Sequence, residues 1–249
     1  MLNTVAFLGV LVINTLANTL PLNGYNTGQI SNFYPSLFTP AGMTFMIWSV
    51  IYLLQLGFVT IQWSLAKPSW FIQLSRWFGI SCLANMSWII AWHYLLPGLA
   101  LLIMLVLLIS LTMIFLKLST LKFYSLKEEL FIRSSFTIYF AWICVATIAN
   151  TSAWLVSIGW NGAPLSAELW TLLMMTMAAI LAAFITLKFK TPSFAAVVIW
   201  ALAGIYRRWE NTLQRTIAET AMVLLVLVAG IFIYTLLNKF RTGKIKNRS

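Results

Sequence analysis

Residues 32–52 read NFYPSLFTPAGMTFMIWSVIY, a turn-rich stretch punctuated by Pro35 and Pro40 that runs straight into an apolar segment. Residues 43–66 carry no Asp, Glu, Lys or Arg. A bilayer core of about 30 Å is crossed by about 20 apolar residues in a helix. Backbone in lipid has to hydrogen-bond to itself, so residues 40–62 read as a membrane-spanning helix rather than a strand. At helical spacing one face carries Ala41, Phe45, Trp48, Tyr52, Gln55, Val59 and Gln62. A second face carries Ile47, Ile51, Leu54, Phe58 and Ile61 and is wholly apolar. The expectation is that the apolar face meets lipid and the mixed face turns into a bundle.

Composition extends this reading to the whole chain. Of 249 residues 61% are hydrophobic and only 8% charged, with a mean hydropathy of +0.90. Soluble domains carry about 25% charged residues, and so few charges cannot clothe a water-facing surface. Apolar runs fall at about 4–20, 40–62, 77–96, 98–116, 134–157, 166–187, 193–206 and 216–237, the seventh being the shortest. They are separated at Pro21, Lys67 and Pro68, Pro97 and Gly98, the charged stretch 117–133, residues 161–164, residues 190–192 and residues 207–215. The sequence therefore predicts an all-α polytopic bundle of about eight transmembrane helices.

The net charge of +11 follows the loops. With the N-terminus in the cytoplasm, 13 of the 16 Lys and Arg fall on that side, and Arg207, Arg208 and Arg215 are the exceptions. This bias sets the orientation and speaks for lipid headgroups rather than nucleic acid. The basic tail 239–249 is expected to hold the cytoplasmic leaflet electrostatically. The N-terminus lacks the basic region of a cleaved signal peptide. Cys82 and Cys144 sit in apolar runs as buried free thiols. One histidine and five acids rule out most metal or acid–base constellations, and no catalytic residue is visible. Ser125 with Glu128, and Thr216 with Glu219, have the spacing of capping boxes, the first starting the fifth helix near residue 126.

Two further helices repeat the mixed stripe. Ser81, Asn85, Trp88 and Trp92 align on the third, and Tyr139, Trp142, Ala146, Asn150 and Ala153 on the fifth. An amide facing lipid leaves hydrogen bonds unmet at several kcal/mol, so Asn85 and Asn150 should face inward. Flat rings, small residues and amides on three converging helices suit a pocket for a flat, mostly apolar ligand. Spacing alone leaves Trp48, Trp88 and Trp142 readable either as pocket walls or as plain packing. Trp63, Trp70, Trp77, Trp160, Trp170 and Trp209 are expected in the interfacial belt. Asn14 and Asn18 read as a helix contact, and His93 as a hydrogen-bonded histidine near the outer end of the third helix.

These residues resemble the TspO/MBR family of tryptophan-rich sensory and translocator proteins. The likeness lies in Phe45, Trp48 and Tyr52 after a Tyr- and Pro-bearing loop, in Asn85 with Trp88, and in Tyr139, Trp142, Ala146 and Asn150. It covers about residues 30–162, and the first outer loop, LANTLPLNGYNTGQIS, is similar to that of the longer, eight-helix members. The sequence departs from the family pattern at Pro40-Ala41-Gly42 and at Ile138. The resemblance implies a five-helix core, residues 1–165, followed by three additional helices, 166–238. It also implies a pocket for tetrapyrroles such as porphyrin or haem, or for sterol-like molecules. In that pocket Trp48 and Trp142 would stack on the ligand, Asn85 and Asn150 would bond its polar edge, and Ala146 would leave room. With Tyr52 and Trp88 from the stripes, the candidate ligand site is Trp48, Tyr52, Asn85, Trp88, Trp142, Ala146 and Asn150, with no resident cofactor. The expected partners are membrane lipid and a hydrophobic small molecule such as a tetrapyrrole, in the cell (inner) membrane, with a homo-oligomer left open. The alternatives are a small-solute transporter and a scaffold whose extra helices bind a protein partner.

Overall fold

The computed structural model describes residues 2–20, 22–65, 69–123 and 125–246, with side chains to Lys239. Pro21, Lys67, Pro68 and Arg248, used above for topology, lie outside the described residues, as do the side chains of Arg241, Lys244 and Lys246. Eight long helices follow one another: α1 (Leu2–Thr19), α2 (Ile47–Ile61), α3 (Ser69–His93), α4 (Pro97–Ser119), α5 (Ser135–Ser157), α6 (Ala167–Phe189), α7 (Pro192–Trp209) and α8 (Arg215–Lys246). A short helix, Thr27–Ser31, and a 3₁₀ turn, Gly42–Met46, lie between α1 and α2, and a π-helical stretch, Glu129–Ser134, leads into α5. Among the described residues there is no strand.

Among the described residues six of these helices are long and apolar enough to cross a membrane: α1, α2 with its 3₁₀ turn, α4, α5 with its lead-in, α6 and α8. At 1.5 Å per residue α3 reaches about 37 Å, ample for a bilayer, but Ser81, Asn85, His93 and other polar residues dilute it. The 18 residues of α7 reach about 27 Å and end in two arginines. Both polar-rich helices are covered by neighbours. α3 packs against α1 and α4, and α7 against α5, α6 and α8. Lipid is left with the outward stripes, among them Leu53, Leu102, Ile180 and Val226, each at least 60% exposed.

Local chemistry sets the helix ends. Pro97 and Pro192 open α4 and α7 in the first turn, where a missing N–H costs nothing. Ser166 caps α6 by accepting from Leu169 N at 3.1 Å. Ser125 accepts from Lys127 N at 3.2 Å, and the helical run starts at Leu126 as predicted. The box at Thr216 and Glu219 does not form. Helix α8 already begins at Arg215, and Glu219 accepts from Arg215 Nε at 2.8 Å. The third helix starts at Ser69 rather than 77, which draws Trp70 and Trp77 into it.

The two-faced reading of α2 needs correction. Ile47, Ile51 and Phe58, expected against lipid, are buried, as are Gln55, Val59 and Gln62 of the mixed face. α2 is flanked by α5 and its π stretch on one side and by α1 on the other. Both stripes are therefore covered, and lipid sees a third, with Met46, Val50 and Leu53.

Contacts sort the two ends of the bundle. At the basic end Asn3 Nδ2 donates to Gln62 Oε1 at 2.9 Å, Lys239 bonds Glu129 at 2.5 Å, and Arg133 reaches the Leu121 carbonyl. Just inside, the rings of Phe58, Phe78 and Phe136 meet edge to face with centroids 4.9–5.7 Å apart. Of the three exceptional arginines at the other end, Arg207 pairs with Glu210 and Arg215 with Glu219. Cys82 and Cys144 are unpaired thiols, the first buried and the second partly so.

Where α2 passes the π stretch, Gly57 faces Phe131 so closely that a Cβ would lie 2.0 Å from the ring. Gly57→Ala should therefore destabilise by about 1–3 kcal/mol through overpacking, read as a lowered midpoint of thermal unfolding in detergent. Phe131→Leu in the same chain should restore part of the loss.

Candidate ligand site

The mixed stripes of α2, α3 and α5 meet at the end of the bundle away from the basic clusters. Their rings form one column: Tyr52 stacks on Trp48 (centroids 5.5 Å, planes 25° apart), Trp48 on Trp88 (5.8 Å, 28°) and Trp88 on Trp92 (6.1 Å, 18°). Trp142 stands edge-on to Trp48 at 6.3 Å, and Phe45 edge-on to Trp142 at 6.1 Å. Such offset-stacked and T-shaped pairs suit the ring quadrupoles. Behind the column is a closed cavity of about 40 Å³, room for about three water molecules. Its α5 wall holds Trp142, Ala146, Asn150 and Ala153 of the stripe read from sequence, without Tyr139, together with Val145 and Ala149.

The polar groups are mostly engaged. Trp88 Nε1 donates to Asn150 Oδ1 at 3.0 Å, and Asn150 Nδ2 donates to the Ala146 carbonyl at 2.9 Å. Asn14 Nδ2 donates to Asn85 Oδ1 at 2.8 Å, and Asn85 Nδ2 to the Tyr139 hydroxyl at 3.0 Å. The Tyr52 hydroxyl approaches Asn85 without closing a hydrogen bond. Trp142 Nε1 is a buried donor with no acceptor, and both amide atoms of buried Gln55 are likewise unpaired.

The loop between α1 and α2 closes the top. Asn26 and Gln29 form a capping box on Thr27–Ser31, and Thr27 and Ser31 enter the cavity wall. Trp92 Nε1 donates to the Thr27 carbonyl at 3.2 Å. His93 Nδ1 lies 3.1 Å from the Leu22 carbonyl and Nε2 3.1 Å from Thr27 Oγ1. A carbonyl only accepts, so Nδ1 carries the proton and Nε2 accepts from the threonine. The hydrogen-bonded histidine expected from sequence is what the structure shows.

Beside the closed cavity lies an open cleft of about 650 Å³ between α1, the short helix and α2. α1 packs mainly on α3 and meets α2 near the basic end, where Gln62 bonds Asn3 and Thr4, so the two helices part toward the other end. Phe45, Trp48 and Tyr52 form one wall of the cleft, and Asn14, Asn18, Asn26, Gln29 and Asn32 supply amides around it. Thr27, Phe45 and Trp48 belong to both spaces. They are the partition.

The family model of the TSPO-like proteins matches residues 1–234. The chain belongs to the TSPO-like family. No curated protein and no solved structure matches it. The family match runs through α6, α7 and most of α8, beyond the stretch of the sequence resemblance.

Of the residues expected to line a site in this TSPO-like chain, Trp48, Trp88, Trp142, Ala146 and Asn150 line the closed cavity, and Tyr52 lines the cleft. Asn85 lines neither, being fully buried and spent on Asn14 and Tyr139. The sequence reading did not anticipate Thr27, Ser31, Thr39 and Pro40 at the cavity, or the amides of the α1–α2 loop at the cleft. The Asn26-x-x-Gln29 cap was the one signal that this loop folds onto the bundle.

Asn85→Ala strands two buried partners, so it should cost about 2 kcal/mol of stability, measured as a drop in the denaturation midpoint. Ser49→Ala, on the exposed cleft rim, should leave that midpoint unchanged.

Proposed function

We propose that this TSPO-like membrane protein binds a flat, largely apolar ligand carrying a polar edge, of tetrapyrrole or sterol-like shape. The observation that carries the reading is the cleft. Its volume of about 650 Å³ falls in the range of about 300–1,000 Å³ common for small-molecule sites, whereas the closed cavity holds only water-sized guests. Trp48 and Tyr52 offer ring faces for stacking, and the outer-loop amides offer hydrogen bonds to the polar edge. Asn85 and Asn150 then act as braces that hold Trp88 and Tyr139 in place behind the stacking wall. Trp142, with its unpaired N–H, is the donor available to a ligand acceptor that reaches the cavity.

The reading is of a binding protein in sensing or tetrapyrrole handling rather than of an enzyme. The transporter alternative is less well supported, because the three-phenylalanine cluster fills the bundle between the cleft and the basic end. The same reading puts the basic end, with both termini, in the cytoplasm.

Titration of the detergent-solubilised chain with protoporphyrin IX, followed by Soret absorbance, tests this. Saturable binding is expected, with Trp48→Ala weakening it by about 2 kcal/mol, roughly thirtyfold. Leu102→Ala on the lipid face should have no effect. No saturable binding, or an unchanged dissociation constant in Trp48→Ala, rejects the reading.

A further inference from the structure

Residues 37–46 carry Thr39, Pro40 and Phe45 into the cavity wall and Gly42, Phe45 and Met46 into the wall of the cleft, yet outside the 3₁₀ turn Gly42–Met46 few bonds within the segment hold it in shape. Its local hydrogen bonds include Phe38 N to Ser36 Oγ and Thr39 N to Ser36 O, both 3.2 Å, and Thr44 N to Ala41 O at 2.9 Å. The cavity lies on one side. Behind residues 35–38 is a second hollow of about 300 Å³, walled by Trp160 and Trp170. Phe38, Thr39 and Thr44 are buried, so packing secures these side chains, but the backbone between the two hollows is not held by packing alone.

Support comes instead from α7. Trp200 Nε1 donates to the Thr44 carbonyl and Trp209 Nε1 to the Leu37 carbonyl, both at 2.9 Å. Ala41 N donates to the Gly204 carbonyl at 2.9 Å, and Arg208 reaches the Pro40 carbonyl at 3.4 Å. Trp200, Gly204 and Arg208 recur every fourth residue, so one stripe of α7 faces the segment. Gly204 permits the approach, since a Cβ there would lie 2.0 Å from Thr44 Oγ1.

We propose that α7 is a strap that fixes the near wall of the ligand site, with Trp200, Gly204 and Trp209 as its positioning residues. The extra helices thereby take part in recognition without touching the ligand. Releasing the strap lets residues 37–46 sample other conformations. Apparent affinity then falls in proportion to the fraction of molecules with the wall in place.

The claim about affinity rests on the functional reading above, and the claim about the wall does not. Two measurements on the full chain in detergent separate them: deuterium exchange of peptides covering 37–46, and protoporphyrin IX titration. Trp200→Phe with Trp209→Phe keeps two rings and removes two donors. This double variant should speed exchange across 37–46 about tenfold while leaving peptides from 81–92 unchanged, and should raise the dissociation constant about tenfold. Gly204→Ala, which displaces Thr44, should act in the same direction. Unchanged exchange in both variants overturns the strap. Faster exchange with undiminished porphyrin affinity overturns its positioning role. If the native chain binds no porphyrin, the functional reading falls, and exchange alone decides the strap.

Discussion

The fold depends on how amides are treated inside a bilayer. A side-chain amide there has no water to turn to, and an unmet hydrogen bond costs several kcal/mol. With buried Gln55 as an exception, the chain meets this constraint by linking helices through amides. Asn14 on α1, Asn85 on α3 and Tyr139 on α5 form one chain of bonds, and Trp88 on α3 bonds Asn150 on α5. Gln62 joins α2 to α1. Each such bond contributes only about 0.6–2 kcal/mol, but each also fixes the rotation of two helices about their axes. That rotation is what turns Trp48, Trp88 and Trp142 toward one another instead of toward lipid.

Much of the bundle was legible because apolar runs and their breaks report helices directly. Prolines 97 and 192 and the cap at Ser125 marked starts correctly, and all of the α5 stripe but Tyr139 lines the cavity, beside Val145 and Ala149. Errors came where a neighbour decided the outcome. Ile51 and Phe58 look lipid-facing in isolation and are buried because α2 has helices on two sides. Thr216 and Glu219 match a capping pattern, but helix α8 begins at Arg215, whose side chain takes the carboxylate.

The candidate site was legible in its rings and not in its loops. Aromatic and amide stripes announce themselves through a period of 3.6 residues, whereas residues 22–40 have no period to read. Their folding over the bundle depends on single long-range bonds, from Trp92 to Thr27, from Asn23 to His93 and from Trp209 to Leu37. Nothing in local sequence encodes such pairs. Asn85 shows a related limit: spacing gives its direction, inward, but not whether the amide keeps a free hand for a ligand.

The polarity of α3 bears on how the chain reaches its membrane. During synthesis this helix emerges before the partners of its amide and indole, which lie 54 and 62 residues downstream at Tyr139 and Asn150. Asn14 on α1 is already present to meet the Asn85 side-chain carbonyl, and Thr27 and Leu22 to meet Trp92 and His93. Until α5 arrives, the Asn85 amide N–H and the Trp88 indole N–H are unspent in hydrocarbon, so α3 gains its footing as a member of a group rather than as a solitary insertion. Biogenesis is thus cooperative across the first five helices, with α5 completing what α1 begins.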